Sequence, residues 1–312
     1  MGFLGDLWVT EVRSDRNNME PMAALKFWAS AGIRMPWIEP LTWAYVSLAV
    51  FVYAFLWVPP EKAAVLSADW VAFVIARNLI IYFIFYGGAH HFLYESAAAQ
   101  ELAAQDLKFN PKMPGSQGKK DEIPGGWAPL STTLRLILTR RGAELSRIAQ
   151  HSHDRFWCLT SSVISSLMEV YFIHAWASGA LPVLSDHEVF TAASISHLFL
   201  SPFWRTVHFY SVHRLIHSRF LYKNVHYLHH RSRNPAPWSG LSMHPIESFG
   251  YFTCVFTPLL FTAHPVHFLF IKLHADISPI PGHHGYASGD ASGQGKAYLK
   301  GQQFHWLHHH CN

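Results

Sequence analysis

Long apolar runs separated by short polar breaks dominate the first two thirds of the chain. The run "LTWAYVSLAVFVYAFLWV", 41–58, is free of charge, and "DWVAFVIARNLIIYFIFYGG", 69–88, carries Arg77 in its middle. "FWCLTSSVISSLMEVYFIHAWASGAL", 156–181, carries Glu169, and "TAASISHLFLSPFWRTVHFY", 191–210, has Pro202 inside it. A bilayer core of about 30 Å takes roughly 20 apolar residues of helix. The pattern therefore predicts four transmembrane helices, the fourth the weakest. A fifth apolar stretch, 248–275, is broken by Pro258 and Pro265. Two helical limbs of about 14 residues reach only about 21 Å each. That predicts a half-depth hairpin that enters and leaves on one side, with Ser248 and Lys272 at that face and 258–266 never reaching the other.

Basic residues fix the expected orientation. Lys108, Lys112, Lys119, Lys120, Arg135, Arg140, Arg141, Arg147 and Arg155 fall in the loop 95–155, and Arg214, Arg219, Lys223, Arg231 and Arg233 follow the fourth run. The connections 59–68 and 182–190 hold one lysine between them. The positive-inside bias places the long loop, both termini and everything after residue 210, the hairpin aside, on the cytoplasmic side. Within the loop, "KFNPKMPGSQGKKDEIPGG" reads as flexible and 130–148 as a basic amphipathic helix lying on the membrane surface. The two intramembrane charges fall at nearly equal depth on antiparallel neighbours, differing by about 3 Å. Arg77 and Glu169 are therefore expected to pair.

Composition agrees with a membrane protein: of 312 residues, 50% are hydrophobic and 14% charged, against about 25% charged in soluble domains. The formal net charge of +4 is modest and no Lys/Arg stripe suggests nucleic acid. Residues 1–36 lack the apolar segment of a cleavable signal. Cys158, Cys254 and Cys311 are too scattered for a disulfide framework or a zinc knuckle. The expected organisation is an N-terminal membrane region with its long loop, 1–155, and a second region, 156–312, that holds the chemistry.

That chemistry is written in histidine. Sixteen of the 23 histidines lie at or after His208. His213 and His217 are four apart; His226, His229 and His230 form H-x-x-H-H; His305, His308 and His309 repeat it. On a helix, positions i, i+3 and i+4 share a face. Neutral imidazole is the commonest metal ligand among side chains. Eight are more than one four-coordinate site can use, and suit two metals that each keep an open position. Isolated histidines such as His90, His91, His151, His153, His174, His187, His197, His264 and His267 read as packing residues. None of the eleven glutamates has histidine three residues on, and H-E-x-x-H, G-x-S-x-G, P-loop and G-x-G-x-x-G patterns are absent. Without a nucleotide site, electrons would come from outside the chain.

The stretches "HRLIH", "HYLHHRSRNP", "SMHPIES", "LHADISP" and "HWLHHHCN" resemble, in order and style, the fatty acid hydroxylase / sterol desaturase superfamily. The resemblance covers roughly 160–312 and is strongest from 208 onward. It implies an all-α integral membrane protein with a cytoplasmic histidine-rich part: a non-haem di-iron oxygenase that uses O2. Electrons would come from a donor such as cytochrome b5 or a ferredoxin. The substrate would be a lipid (sterol, fatty acyl, sphingolipid or carotenoid), hydroxylated or desaturated, in a bacterial inner membrane or the endoplasmic reticulum. By position it implies His213, His217, His226, His229, His230, His305, His308 and His309 as iron ligands. His244 and His274 match further family histidines, and His284, or its neighbour His283, would complete a coordination sphere. Phe249, Tyr251, Phe252, Phe256 and Trp204 are candidate substrate walls. Members of the family continue past the last histidine set, whereas this chain ends at Asn312, so the chain is either truncated or closes its site differently. A histidine-rich metal transporter and a non-catalytic metal-stabilised scaffold are the competing readings.

Overall fold

A computed structural model describes residues 40–97 and 150–286 together with His305, His308 and His309. The basic helix expected at 130–148 and the flexible stretch before it lie outside the described residues. What is described is helical; the sole β feature there is an isolated bridge between Val183 and Ala263.

Helix α1, Pro40–Leu56, has no charged residue. It turns Tyr45, Ala49 and Val52 inward and Trp43, Val50, Phe51 and Phe55 outward, a stripe at helical spacing whose back faces an apolar surrounding. Helix α2, Ala68–Glu95, runs 28 residues through two π-helical segments, Phe83–Gly87 and His91–Glu95. Helix α3, Gln150–Ala177, is equally long. Both are long and apolar enough to cross a membrane. α1 is shorter, and α4, Ala192–Ile216 with Pro202 inside, is less apolar. The side chains of Ser161, Ser162, Ser165 and Ser166 are buried on α3, and small residues let helix backbones approach closely.

Charge sits where α2 and α3 meet. Arg77 Nη2 lies 2.5 Å from Glu169 Oε1, so the expected pair forms. Asn78 Nδ2 donates to Glu169 Oε2 at 2.7 Å, and Arg77 Nη1 to the Leu56 carbonyl at 2.8 Å.

After α4 the chain makes a broken helix, α5: Arg219–Leu221, a π-helical turn Tyr222–His226, and Tyr227–His230. A 3₁₀ turn, Pro237–Leu241, leads to α6, Pro245–Phe252, extended by a second 3₁₀ segment, Thr253–Leu259. α7, Pro265–Ile277, returns and is followed by the short α8, Pro279–His283.

The hairpin made by α6 and α7 corrects two expectations. Its tip does not stop at half the height of the bundle. Leu184 N donates to the Ala263 carbonyl at 3.2 Å, and His264 Nε2 reaches Asp186 Oδ1 at 2.9 Å, so the tip lies against the connection between α3 and α4. The first limb reaches further than an α-helix of its length because 3₁₀ structure rises about 2.0 Å per residue rather than about 1.5 Å. Ser248 and Lys272, expected at the cytoplasmic face, are both buried. Ser248 Oγ bonds Ser161 Oγ at 2.6 Å, and Lys272 Nζ sits 2.6 Å from Asp276 Oδ2 and 3.5 Å from Glu169 Oε2. A lysine four residues before an aspartate on one helix face can be neutralised from within, which lets it enter the core.

Candidate metal centre

Three segments deliver the histidines to one end of the bundle. α4 ends in His213 and His217, one turn apart. The π-helical turn of α5 ends at His226 and the α-helical turn after it carries His229 and His230. A π turn adds a residue to the helix and re-aims the side chains at its end. Across from them stand His283, at the end of α8, and His305, His308 and His309.

The rings sort into two groups. His213, His217, His226 and His308 form one; His229, His283, His305 and His309 form the other. In each group the four ring nitrogens lie within 4.8 Å of one another, a spacing at which four imidazoles can share one metal ion. The nitrogens converge: His213 Nε2 is 3.2 Å from His308 Nε2, His226 Nε2 is 3.0 Å from His217 Nε2, and His305 Nε2 is 3.0 Å from His283 Nε2. The groups adjoin, with the His229 and His309 rings 4.5 Å apart in one and the His308 and His309 rings 5.8 Å apart across the two. Each H-x-x-H-H set is thus split: His226 and His308 go one way, His229, His305 and His309 the other. His230 stands between, its Nε2 3.0 Å from His226 Nε2 and its ring stacked 4.8 Å from that of His309.

The protonation state suits metal binding, which needs neutral imidazole. Burial, reinforced by the neighbouring rings, holds His213, His226, His229, His283, His308 and His309 far below the usual histidine range. Burial lowers His217 and His305 to about 4 and His230 to about 3. His309 is fully buried, and among the described residues neither of its ring nitrogens has a hydrogen-bond partner. A buried polar group left unpaired costs about 1–3 kcal/mol, and a metal ion would satisfy it. The residues present fit such a group.

Several ligand candidates are oriented from behind. His226 Nδ1 lies 2.7 Å from Glu247 Oε1, His229 Nδ1 3.2 Å from the Ser242 carbonyl, and His283 Nδ1 2.8 Å from the Pro279 carbonyl. The two carbonyl contacts put the proton on Nδ1 and leave Nε2 as the donor to a metal, the usual arrangement behind metal-bound histidine, and an ionised Glu247 would do the same for His226. Glu247 is buried, and burial pushes its carboxyl well above the usual range. A cation on His226 Nε2 would favour the ionised form.

Three of the residues implied by the resemblance are placed elsewhere. His244 caps α6, its Nδ1 accepting from Ile246 N at 3.2 Å. His274 stacks between Tyr45 and Phe270, outside both groups. His284 points away and accepts from Tyr286 N at 3.0 Å, so that His283 is the histidine of "PGHHG" that turns inward. Among the candidate walls, Trp204 and Phe249 are outward-facing, while Tyr251 and Phe252 are buried. Sequence reasoning missed Glu247 as a partner, although it sits in the quoted "SMHPIES".

Comparison with known proteins agrees with this end of the molecule. The fatty acid hydroxylase family matches residues 198–312. Methylsterol monooxygenase 2-2 of Arabidopsis thaliana is 28% identical over 191 residues, covering 56% of this chain and 70% of that protein. No solved structure matches. The family match runs from within α4 to residue 312, the same stretch that supplies all eight clustered imidazoles, and over that stretch the chain is similar to the fatty acid hydroxylase family.

Proposed function

We propose that the protein is a membrane-bound di-iron oxygenase that hydroxylates or desaturates a lipid. The observation that carries this reading is the pair of adjoining four-imidazole groups inside the segment matched by the hydroxylase family. Bound there, two irons would supply reduction of O2, with two electrons from a separate protein, and oxidation of an unactivated C–H bond. His213, His217, His226 and His308 would hold one, His229, His283, His305 and His309 the other, with His230 beside both.

The chain's own residues do the rest. Glu247, Ser242 and Pro279 fix the ring tautomers through the contacts described. Burial keeps every ligand neutral without competition from protons. An all-imidazole set brings no negative charge, so the centre stays electrophilic, as attack on a C–H bond requires. A lipid would enter from the bilayer along the outward apolar side of α4 and α6, where Trp204, Val207 and Phe249 are exposed. The monooxygenase relative acts on a methylsterol by its name, which supports a sterol or similarly bulky lipid ahead of a free acyl chain. The layout proposed is four crossings plus the hairpin, with the histidine end cytoplasmic. There Arg214, Arg219, Lys223, Arg231 and Arg233 offer a basic surface to an acidic electron carrier such as a ferredoxin or a cytochrome b5.

The test is metal analysis of the purified protein beside lipid-dependent O2 uptake with a ferredoxin or cytochrome b5 reducing system. About two irons per chain and uptake that needs the lipid support the proposal. Bound metal without lipid-dependent uptake would instead favour a transporter or scaffold.

A further inference from the structure

The buried charges deep in the bundle have no part in the chemistry so far, yet they converge on the helix that leads to the second imidazole group. Asp276, near the end of α7, is their hub. Its Oδ1 accepts from Tyr82 of α2 and Ser165 of α3, both at 2.8 Å. Its Oδ2 holds Lys272 at 2.6 Å, and Lys272 in turn faces Glu169, the partner of Arg77. Two cations and two carboxylates balance.

The backbone there is held as firmly. The last carbonyls of a helix have no partner within it. In α7, Tyr251 Oη donates to the Ala275 carbonyl at 2.8 Å and Tyr86 Oη to the Asp276 carbonyl at 2.6 Å. Ser278 N takes the His274 carbonyl at 2.9 Å. Pro279 then opens α8 against Gly240, where a Cβ would stand 2.8 Å from the Pro279 Cβ. Pro279 also offers the carbonyl that orients His283. Only six residues therefore separate Asp276 from His283, and they are pinned at both the α7 end and the Pro279 step.

We infer that Asp276, with the tyrosine caps on the end of α7, is a positioning residue for the second imidazole group: it sets where α8 presents His283. The first group draws on α4, α5 and His308 and on nothing in α8. Disturbing Asp276 should therefore loosen one metal and spare the other. The inference rests on the proposal that the groups bind metal, and the test separates the two.

The experiment uses the full chain in detergent, with iron per chain and the rate of iron loss to a chelator as readouts. Wild-type protein should hold about two. Asp276→Ala, and the milder Tyr86→Phe, should release one of the two at least tenfold faster, the scale of loss seen when support behind a metal ligand is removed, and Asp276→Asn, which can still accept from Tyr82 and Ser165, should recover part of it. Adding His283→Ala to Asp276→Ala should leave the first metal as firmly held as in wild type, whereas adding His213→Ala should leave no metal firmly held. Should the Asp276 variants fail to fold, Tyr86→Phe carries the same comparison. Equal loosening of both metals, or two firmly held metals in the Tyr86→Phe and Asp276→Ala chains, would overturn the inference. A wild-type protein that binds no metal would overturn the parent proposal instead.

Discussion

At the scale of single residues, spacing marked seven of the eight histidines that converge, all but His283, but not how they divide. H-x-x-H-H predicts three rings on one face. The π turn before His226 and the convergence of two distant segments then decide that His226 and His229 serve different groups. Neither is visible as periodicity. Replacing His229 by alanine should cost the second metal, replacing His308 the first, and the double variant both, as read by elemental analysis. His151, whose ring packs 4.3 Å from that of His90, should be replaceable with metal content unchanged. Removing the carboxyl of Glu247 should weaken the first site about 10–100-fold. Glu247→Gln should weaken it less than Glu247→Ala, since an amide oxygen still accepts from His226 Nδ1. Acid should act on the fold and the metal together. The clustered histidines have folded-state values depressed to about 4 or lower, against about 6.5 unfolded. The unfolded chain therefore binds protons first, and stability is complete above about 6.5 and falls as pH drops from there toward 4. Iron content and far-UV circular dichroism should be lost in one transition within that window. Iron lost well above it, with the helices intact, would contradict the burial described here.

At the scale of elements, the apolar runs located α1 to α4 but missed some ends by six or seven residues, because an apolar run marks the stretch that must be helical while polar turns can extend it. Depth matching also foresaw the contact between Arg77 and Glu169. It did not reveal Lys272 and Asp276, because a lysine at the end of an apolar stretch reads as a surface residue until its i+4 carboxylate is known to be buried with it. The enlarged network changes how the pair should be tested. A charge swap would set an arginine at 169 against Lys272, 3.5 Å from the present carboxylate. The cleaner comparison is Arg77→Met and Glu169→Leu, singly and together. Breaking a buried pair by removing one partner costs about 3–5 kcal/mol, while removing both for apolar residues is often nearly neutral. Each single variant should therefore lower the detergent unfolding temperature. The double should recover part of the loss, though not all, since Lys272 and Asn78 also lean on Glu169. A double variant no better than the worse single would mean the two do not act as a pair.

At the scale of the whole molecule, the hairpin ties the histidine end to the opposite end of the bundle. Counting residues at α-helical rise understated its first limb, to which the seven residues of the 3₁₀ segment Thr253–Leu259 add about 3.5 Å. At the tip, Asp186 accepts from Tyr53 Oη at 2.6 Å and lies 2.9 Å from His264 Nε2, so one carboxylate joins α1, the connection after α3 and the start of α7. Both limbs return, so His226 and His283 still share an end, as the orientation argument requires. The tip, however, belongs with residues 182–190 and not with the histidines. Single cysteines at Thr262 and Ser185, in a chain whose Cys158, Cys254 and Cys311 are replaced, should react from the same side of the membrane with an impermeant maleimide. A cysteine at Lys223, near the imidazole groups, should react from the other. If Thr262 instead labels with Lys223, or from neither side while Ser185 labels freely, the hairpin stops short. The contacts of Leu184 and Asp186 with the tip would then have to give way to a shallower packing of α7, and the buried run from Lys272 to Asp276 would sit at a different depth from Glu169.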